Sequence, residues 1–436
     1  MAADAIAARL DELDARFVRL VWVDNANQIR AKAFHRGQLA QHRDTGIGIS
    51  VAQQAVTALV DAPAPGAGLG PVGEVWLRSD WSTLAPVPYA PGTARVLADL
   101  VTRDGPWTCC PRTFLRRSVA ALADIGFTVQ AAFEHEFTLL RELPDGGVEP
   151  IDQTLFASTA AMDRANDVIA GIADALAAQG VTPLRYYPES GPGQQEISVT
   201  HRDPLRAADQ AVILRDTVRG VAGQHGLIGS FLPKILPDAA GSGCHLHCSL
   251  WRDGRNILPA DGALSAIGRR FVAGVLAHLP ALMAITVPSP NSYRRLAPHT
   301  WSGAFQTWGY DNREAAIRVP TEPAGPTPTH VEVKTVDAAA NPYLALGAVL
   351  SAGLDGIVRA LEPPEPVDVD PGTLPGSPRL PGDLTTALAA LASDPVLLSA
   401  LGDDLATAFL AVRREEARLL AGAPLEEEVR LLLRRY

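Results

Sequence analysis

Three short segments carry polar side chains at alternate positions where a buried strand would carry apolar ones, and a fourth sets two carboxylates on either side of a turn. In AAFEHEFTLL, Glu134 and Glu136 are two residues apart, so on an extended backbone both carboxylates leave the same face. In GCHLHCSL, His245, His247 and Ser249 share one face, and Cys244 and Cys248 share the other. In HVEVKTV, Glu332 and Lys334 project together; in YPESGPGQQEIS, a Gly-Pro-Gly turn folds Glu189 and Glu196 towards a common point. Such a chain must turn a polar face inward, and like charges on neighbouring strands repel unless something neutralises them. Five carboxylates and a histidine, mostly oxygen donors, are a ligand set for hard divalent cations such as Mg2+ or Mn2+, enough for two or three ions. A solvated outer face would explain any one of these segments but not all four together. A zinc site on C-H-x-H-C is disfavoured, because alternation sends thiols and imidazoles to opposite sides; the cysteines read as small core residues.

Positive groups follow the acidic segments. NSYRRLAP supplies Arg294 and Arg295, and DNREAAIRV supplies Arg313 and Arg318. Arginines beside a multi-cation site hold phosphate or carboxylate oxygens bidentately and stabilise charge during phosphoryl transfer. Only three of the 38 basic residues are lysines, Lys32, Lys234 and Lys334. The sequence has no G-x-x-x-x-G-K-[ST] loop and no G-x-G-x-x-G after a strand, so any nucleotide site is neither P-loop nor Rossmann. It has no G-x-S-x-G elbow of a serine hydrolase either.

The remainder of the chain frames this constellation. A net charge of −10 is opposite to the footprint of a nucleic-acid binder. The acidic N-terminus reads as an amphipathic helix rather than a signal peptide. The apolar stretch 271–288 contains His278 and Pro280 and reads as a buried helix, so no membrane partner is expected. Four cysteines form no disulfide framework, which suits the cytoplasm. Residues 17–34 alternate around the polar DNANQ, a hairpin signature. Further on, the pattern predicts helices at 160–179, 204–224, 263–283, 341–361 and 383–421, with strands between the earlier ones. A connector at 362–382 holds seven prolines and reads as a loop or rigid spacer. The fold class is α+β, with a small first domain over 1–106 and a larger one over 107–436.

In order along the chain, E-H-E-F, E-x-x-P-G-Q-x-E, F-x-P-K, G-S-G-x-H-x-H-x-S-L, N-S-Y-x-R-L, N-R-x-A-x-I-R, V-E-V-K and N-P-Y-L resemble the glutamine synthetase family. The resemblance implies an N-terminal β-grasp domain and a catalytic domain whose curved antiparallel sheet, flanked by helices, forms a funnel with ATP at one mouth and glutamate at the other. It implies γ-glutamyl phosphate formation, then displacement of the phosphate by an amine. Glu136, Glu189 and Glu196 resemble one metal site of the family, and Glu134, His245 and Glu332 the other. His247 and Ser249 resemble nucleotide contacts, Arg295 the clamp on the glutamate α-carboxylate, Arg313 the phosphoryl-stabilising arginine, Arg318 a phosphate contact and Gly241 the glutamate-binding glycine. A homo-oligomer, a dodecamer of two stacked hexamers, is expected on the same ground.

The departures concern the substrate. Ala240 stands where ammonia-using members have asparagine, and Lys334 and His330 stand where they have arginines. The loop APHTWSG has Trp301 in place of the glutamate that deprotonates ammonium. TGIGISVAQQ places Ser50 near the position of the ammonium-binding aspartate that a neighbouring subunit supplies. The sequence therefore predicts an ATP-dependent ligase joining glutamate to an organic amine such as a polyamine, ethanolamine or an alkylamine. The alternatives are an ordinary ammonium-using glutamine synthetase and a non-catalytic structural or regulatory assembly.

Overall fold

The alternating residues of the first hairpin form β1 (Phe17–Val23) and β2 (Ile29–His35), paired antiparallel. In this computed structural model, which describes residues 1–325 and 327–436, the hairpin belongs to a seven-stranded sheet. There β1 runs parallel to Thr93–Thr102, which also pairs with Glu74–Ser79. Helix α1 (Ala3–Glu12) covers this sheet through Ile6 and Leu10.

The polar turn of the hairpin lies in the interior: Asp24, Asn25, Ala26 and Asn27 are each 0% exposed. It plugs into the second domain. Asn27 Nδ2 donates to Ala338 O at 2.8 Å, Asn341 Nδ2 to Asp24 O at 3.0 Å, and Arg413 Nη2 to Asn25 O at 2.8 Å. Buried backbone carbonyls require partners, and these amide and guanidinium groups supply them across the domain boundary.

The second sheet has ten strands. Its principal members are β3 (Thr128–Glu142), β4 (Pro183–Pro188), β5 (Gln194–Val199), β6 (Cys244–Arg252), β7 (Phe305–Tyr310), β8 (Ala315–Val319) and β9 (Val331–Val333). In space they run β4-β5-β3-β6-β9-β8-β7, antiparallel except for the final β8–β7 pair. Phe133, Phe137, Cys244, Leu246, Cys248, Val331 and Val333 enter the main core, so the alternate residues of β3, β6 and β9 face the other way.

The helix Pro204–Gln224 lies against β3, and two further helices, α2 (Ala266–Thr286) and α3 (Pro342–Val358), pack extensively on each other. α2 is long and apolar enough to cross a membrane, but most of it is buried within the fold. Pro280 leaves the carbonyl of Leu276 without its helical donor, and Gln306 Nε2 takes that carbonyl at 2.8 Å. The proline-rich connector runs along β7, with Val367 N donating to Trp308 O at 2.8 Å and Gln306 N to Pro378 O at 2.9 Å. It thereby covers a sheet edge that would otherwise be open.

The single helix expected over 383–421 is three: Leu384–Ala392, Pro395–Leu401 and Asp403–Leu419. Asp394 caps the second by accepting from Val396 N and Leu397 N, and Gly402 at φ +81° ends it. An Asp-Pro start and a left-handed glycine stop override a continuous apolar pattern.

Candidate active site

Strand register builds the cluster. Glu196 on β5 lies opposite Glu136 on β3, Glu134 opposite His245 on β6, and His247 opposite Glu332 on β9, which in turn faces Arg318 on β8. His245 Nδ1 is 3.4 Å from both Glu134 Oε2 and Glu332 Oε1, and its Nε2 is 3.9 Å from Glu136 Oε1. His247 Nε2 also reaches Glu134 Oε2, at 3.4 Å. Glu134, His247 and Glu332 offer three ligand atoms within 4.8 Å of one another. Both histidines of the H-x-H pair thus touch the carboxylates that resemble the second metal site.

The cluster divides electrostatically. On one side, Glu332 accepts from Arg318 Nη1 at 2.9 Å and from Lys334 Nζ at 3.3 Å. Burial pushes the Glu332 carboxyl up, but Lys334, His247, His245 and Arg318 outweigh it and hold the group well below the usual carboxylate range. Glu134 is likewise held low, its burial outweighed by hydrogen bonds from His245 and His247. Burial drives His245 down to about 4, with Lys334 adding to the effect.

On the other side no lysine or arginine forms an ion pair with the carboxylates among the described residues. Burial, with the charges of Glu134 and Glu136, pushes Glu196 up to about 10. Burial and Glu136 push Glu189 up to about 7. Glu136 is raised by burial even though it accepts from Gly243 N at 3.0 Å and Gln194 Nε2 at 2.8 Å. Glu196 Oε1 is buried with no hydrogen-bond partner among the described residues. Three oxygen-donor groups that resist ionisation alone fit a divalent cation, which would supply the missing charge.

The remaining predicted residues flank this centre. His247 Nδ1 lies 2.9 Å from His330 Nε2, and Ser249 Oγ accepts from Trp251 Nε1 at 2.9 Å. These four residues, with Glu134, Leu184, Arg185 and Asn256, line a cavity of about 400 Å³. Arg295 is buried and donates from Nη2 to Lys334 O and Val336 O at 3.3 and 3.2 Å. Gly241 packs against it: a Cβ there would lie 2.4 Å from Pro233 O and 2.7 Å from Arg295 Cγ, so only glycine fits. Gln194, to which the sequence reading gave no role, joins the two regions by donating to both Glu136 Oε2 and Gly241 O. Its signal was its fixed place in the E-x-x-P-G-Q-x-E motif.

Three predicted residues stand away from the cluster's hydrogen bonds. Arg313 is exposed and makes no side-chain hydrogen bond or ion pair among the described residues. Ser50 lies in the first domain, where it caps the turn Val51–Gln54. Trp301 is 58% exposed on a loop that starts at Arg295. Of the three lysines only Lys334 joins the cluster; Lys32 Nζ donates to Gly48 O and Lys234 Nζ to Ala239 O.

Residues 4–107 match the glutamine synthetase N-terminal domain and 108–432 the glutamine synthetase catalytic domain. The chain is 40% identical to the gamma-glutamylpolyamine synthetase GlnA3 of Streptomyces coelicolor, over 96% of this chain and 93% of that one. It is 31% identical to the type-1 glutamine synthetase 1 of Dictyostelium discoideum, over 96% and 89%. Among solved structures, an ADP complex of GmaS superposes with a TM-score of 0.87 at 30% identity, covering 98% of both chains.

Proposed function

The chain belongs to the glutamine synthetase family of ATP-dependent carbon–nitrogen ligases, and we propose that it joins the γ-carboxyl of glutamate to an organic amine. The observation that carries this reading is the acceptor loop. Residues 296–303 contain no carboxylate and present the Trp301 indole. Glu314, the buried carboxylate beneath the loop, is occupied by two loop N–H groups. An ammonium ion needs a carboxylate both to hold it and to take its proton; an alkylamine gains from an aromatic wall over its stem. The similarity to a gamma-glutamylpolyamine synthetase supports the same reading.

In this reading ATP occupies the cavity beside His247, Ser249 and His330, and Arg295 with Gly241 holds the glutamate main-chain groups. The glutamate γ-carboxylate attacks the γ-phosphorus, the bond to ADP breaks, and γ-glutamyl phosphate forms. The neutral amine nitrogen then attacks the acyl carbon, phosphate leaves, and the nitrogen sheds a proton. Glu136, Glu189 and Glu196 would hold one divalent ion, and Glu134 and Glu332 with His245 or His247 a second. Bound there, Mg2+ or Mn2+ would neutralise phosphate charge. Arg318 and Lys334 keep Glu332 ionised, and Arg313 is assigned to the transferring phosphoryl group by resemblance alone. The division near residue 106 and a ring-shaped homo-oligomer belong to the same proposal.

The test is product identity. Glutamate, ATP, Mg2+ and a panel of polyamines, ethanolamine and alkylamines should release ADP and yield a γ-glutamyl amide detectable by mass. Glutamine from ammonium, with no amide from any amine, would contradict the proposal.

A further inference from the structure

The loop from Leu296 to Gly303 is anchored at both ends against the Lys334 segment. Arg295, just before it, donates to the Lys334 and Val336 carbonyls. At its far end, a Cβ on Gly303 would lie 2.9 Å from Ala316 Cα and 3.3 Å from Lys334 Cβ. Between these anchors the backbone is unusual. His299 has φ +61° and Trp301 φ +55°, a left-handed conformation that residues with side chains seldom adopt unless their surroundings impose it.

Glu314 supplies the constraint. It is 7% exposed, and its two carboxylate oxygens accept from the backbone N–H groups of those same residues, His299 at 3.2 Å and Trp301 at 2.8 Å. It makes no ion pair with a base among the described residues, so its buried charge is directed at the loop alone. Its own N–H donates to Asn312 Oδ1 at 3.0 Å, and Asn312 Nδ2 in turn donates to Val367 O and Val369 O of the connector. Asp370 of the connector pairs with the His299 ring at 2.8 Å, and Thr300 Oγ1 donates to Ala297 O at 2.6 Å. Both secure the loop but leave the Trp301 N–H to Glu314.

We infer that Glu314 is a positioning residue for acceptor selection: by receiving two N–H groups it fixes where the Trp301 indole stands. This rests on the reading of Trp301 as the wall of the amine site. Glutamine at 314 offers one acceptor oxygen where glutamate offers two, and alanine offers none.

The test compares the parent enzyme with Glu314→Gln and Glu314→Ala in two measurements. Hydrogen exchange in the peptide spanning 296–304 should speed up in Glu314→Ala, with Glu314→Gln intermediate. With the best amine substrate, Glu314→Ala should raise KM for the amine about tenfold while leaving KM for ATP within about twofold, the split expected when only acceptor binding is lost. Unchanged loop exchange, an unchanged amine KM, or equal rises in the amine and ATP KM values would each overturn the inference. A parent enzyme that prefers ammonium would instead overturn the acceptor reading and the role given to Trp301, whereas exchange still reads the hold of Glu314 on the loop.

Discussion

Glu196 stands in register opposite Glu136 across β5 and β3, a pair of carboxylates facing each other in the interior of the sheet. Glu196 makes no ion pair among the described residues, and one of its oxygens is buried without a partner. Ionising both there is so costly that Glu196 keeps a proton which the unfolded chain would release, a cost in folding free energy that lasts until a cation takes the proton's place.

The first prediction follows from that pair. Mg2+ or Mn2+ should raise the melting temperature and EDTA should lower it. Glu196→Gln should raise the melting temperature of the metal-free protein, shrink the gain on adding metal and abolish turnover. Equal metal-induced gains in parent and variant by differential scanning fluorimetry would remove Glu196 from the ligand set.

Asn27 should hold the two domains together. Asn27→Ala removes its hydrogen bond to Ala338 O and leaves a buried acceptor unpaired, a loss of about 1 to 3 kcal/mol. Asn27→Gly loses the same bond but tolerates the backbone at φ +60°, so it should be the less damaging of the two. Denaturant titration of both variants checks this; parent-like stability in Asn27→Ala would show the contact to be idle.

Asp24 gives the hairpin plug a pH dependence. Burial outweighs its ion pair with Arg30 and raises the carboxyl from 3.8 to about 6. Between these values the folded chain keeps a proton that the unfolded chain releases. The stabilisation is complete below about 3.8 and is lost as pH rises through about 6. Asp24→Asn cannot titrate, so its stability should fall less steeply than the parent's across this window. Identical slopes in denaturation midpoints would contradict the assignment.

The strand alternation made the cluster readable in advance: Glu134, Glu136, His245, His247 and Glu332 all project where period-two spacing sends them, and Cys244 and Cys248 enter the core. What the sequence did not disclose depends on distant partners. The DNANQ turn is as polar as any exposed turn, and only Ala338, Asn341 and Arg413, more than three hundred residues away, make it an interior plug. Glu314 was silent, and Gln194 stood in a motif without a role, because each acts through groups brought near by folding. Apolar periodicity continues through Asp394-Pro395 and Gly402, which is why three helices read as one.

Assembly has its own check. A ring-shaped homo-oligomer, a dodecamer by resemblance, should elute as a single large species in light scattering. A fully active monomer would contradict it.

Acceptor choice tests the central claim most directly. A cation–π or apolar contact with Trp301 is worth roughly 0.5 to 2 kcal/mol to an alkylamine. The missing carboxylate leaves any cationic amine unpaired, at about 3 to 5 kcal/mol, and ammonium has no apolar stem with which to offset that cost. The decisive measurement is the ratio of kcat/KM for the best organic amine to that for ammonium, at saturating ATP, glutamate and Mg2+. A ratio of at least about ten, roughly 1.4 kcal/mol at the transition state, is predicted; a ratio at or below about one across the amine panel would identify ammonium as the substrate and contradict the account.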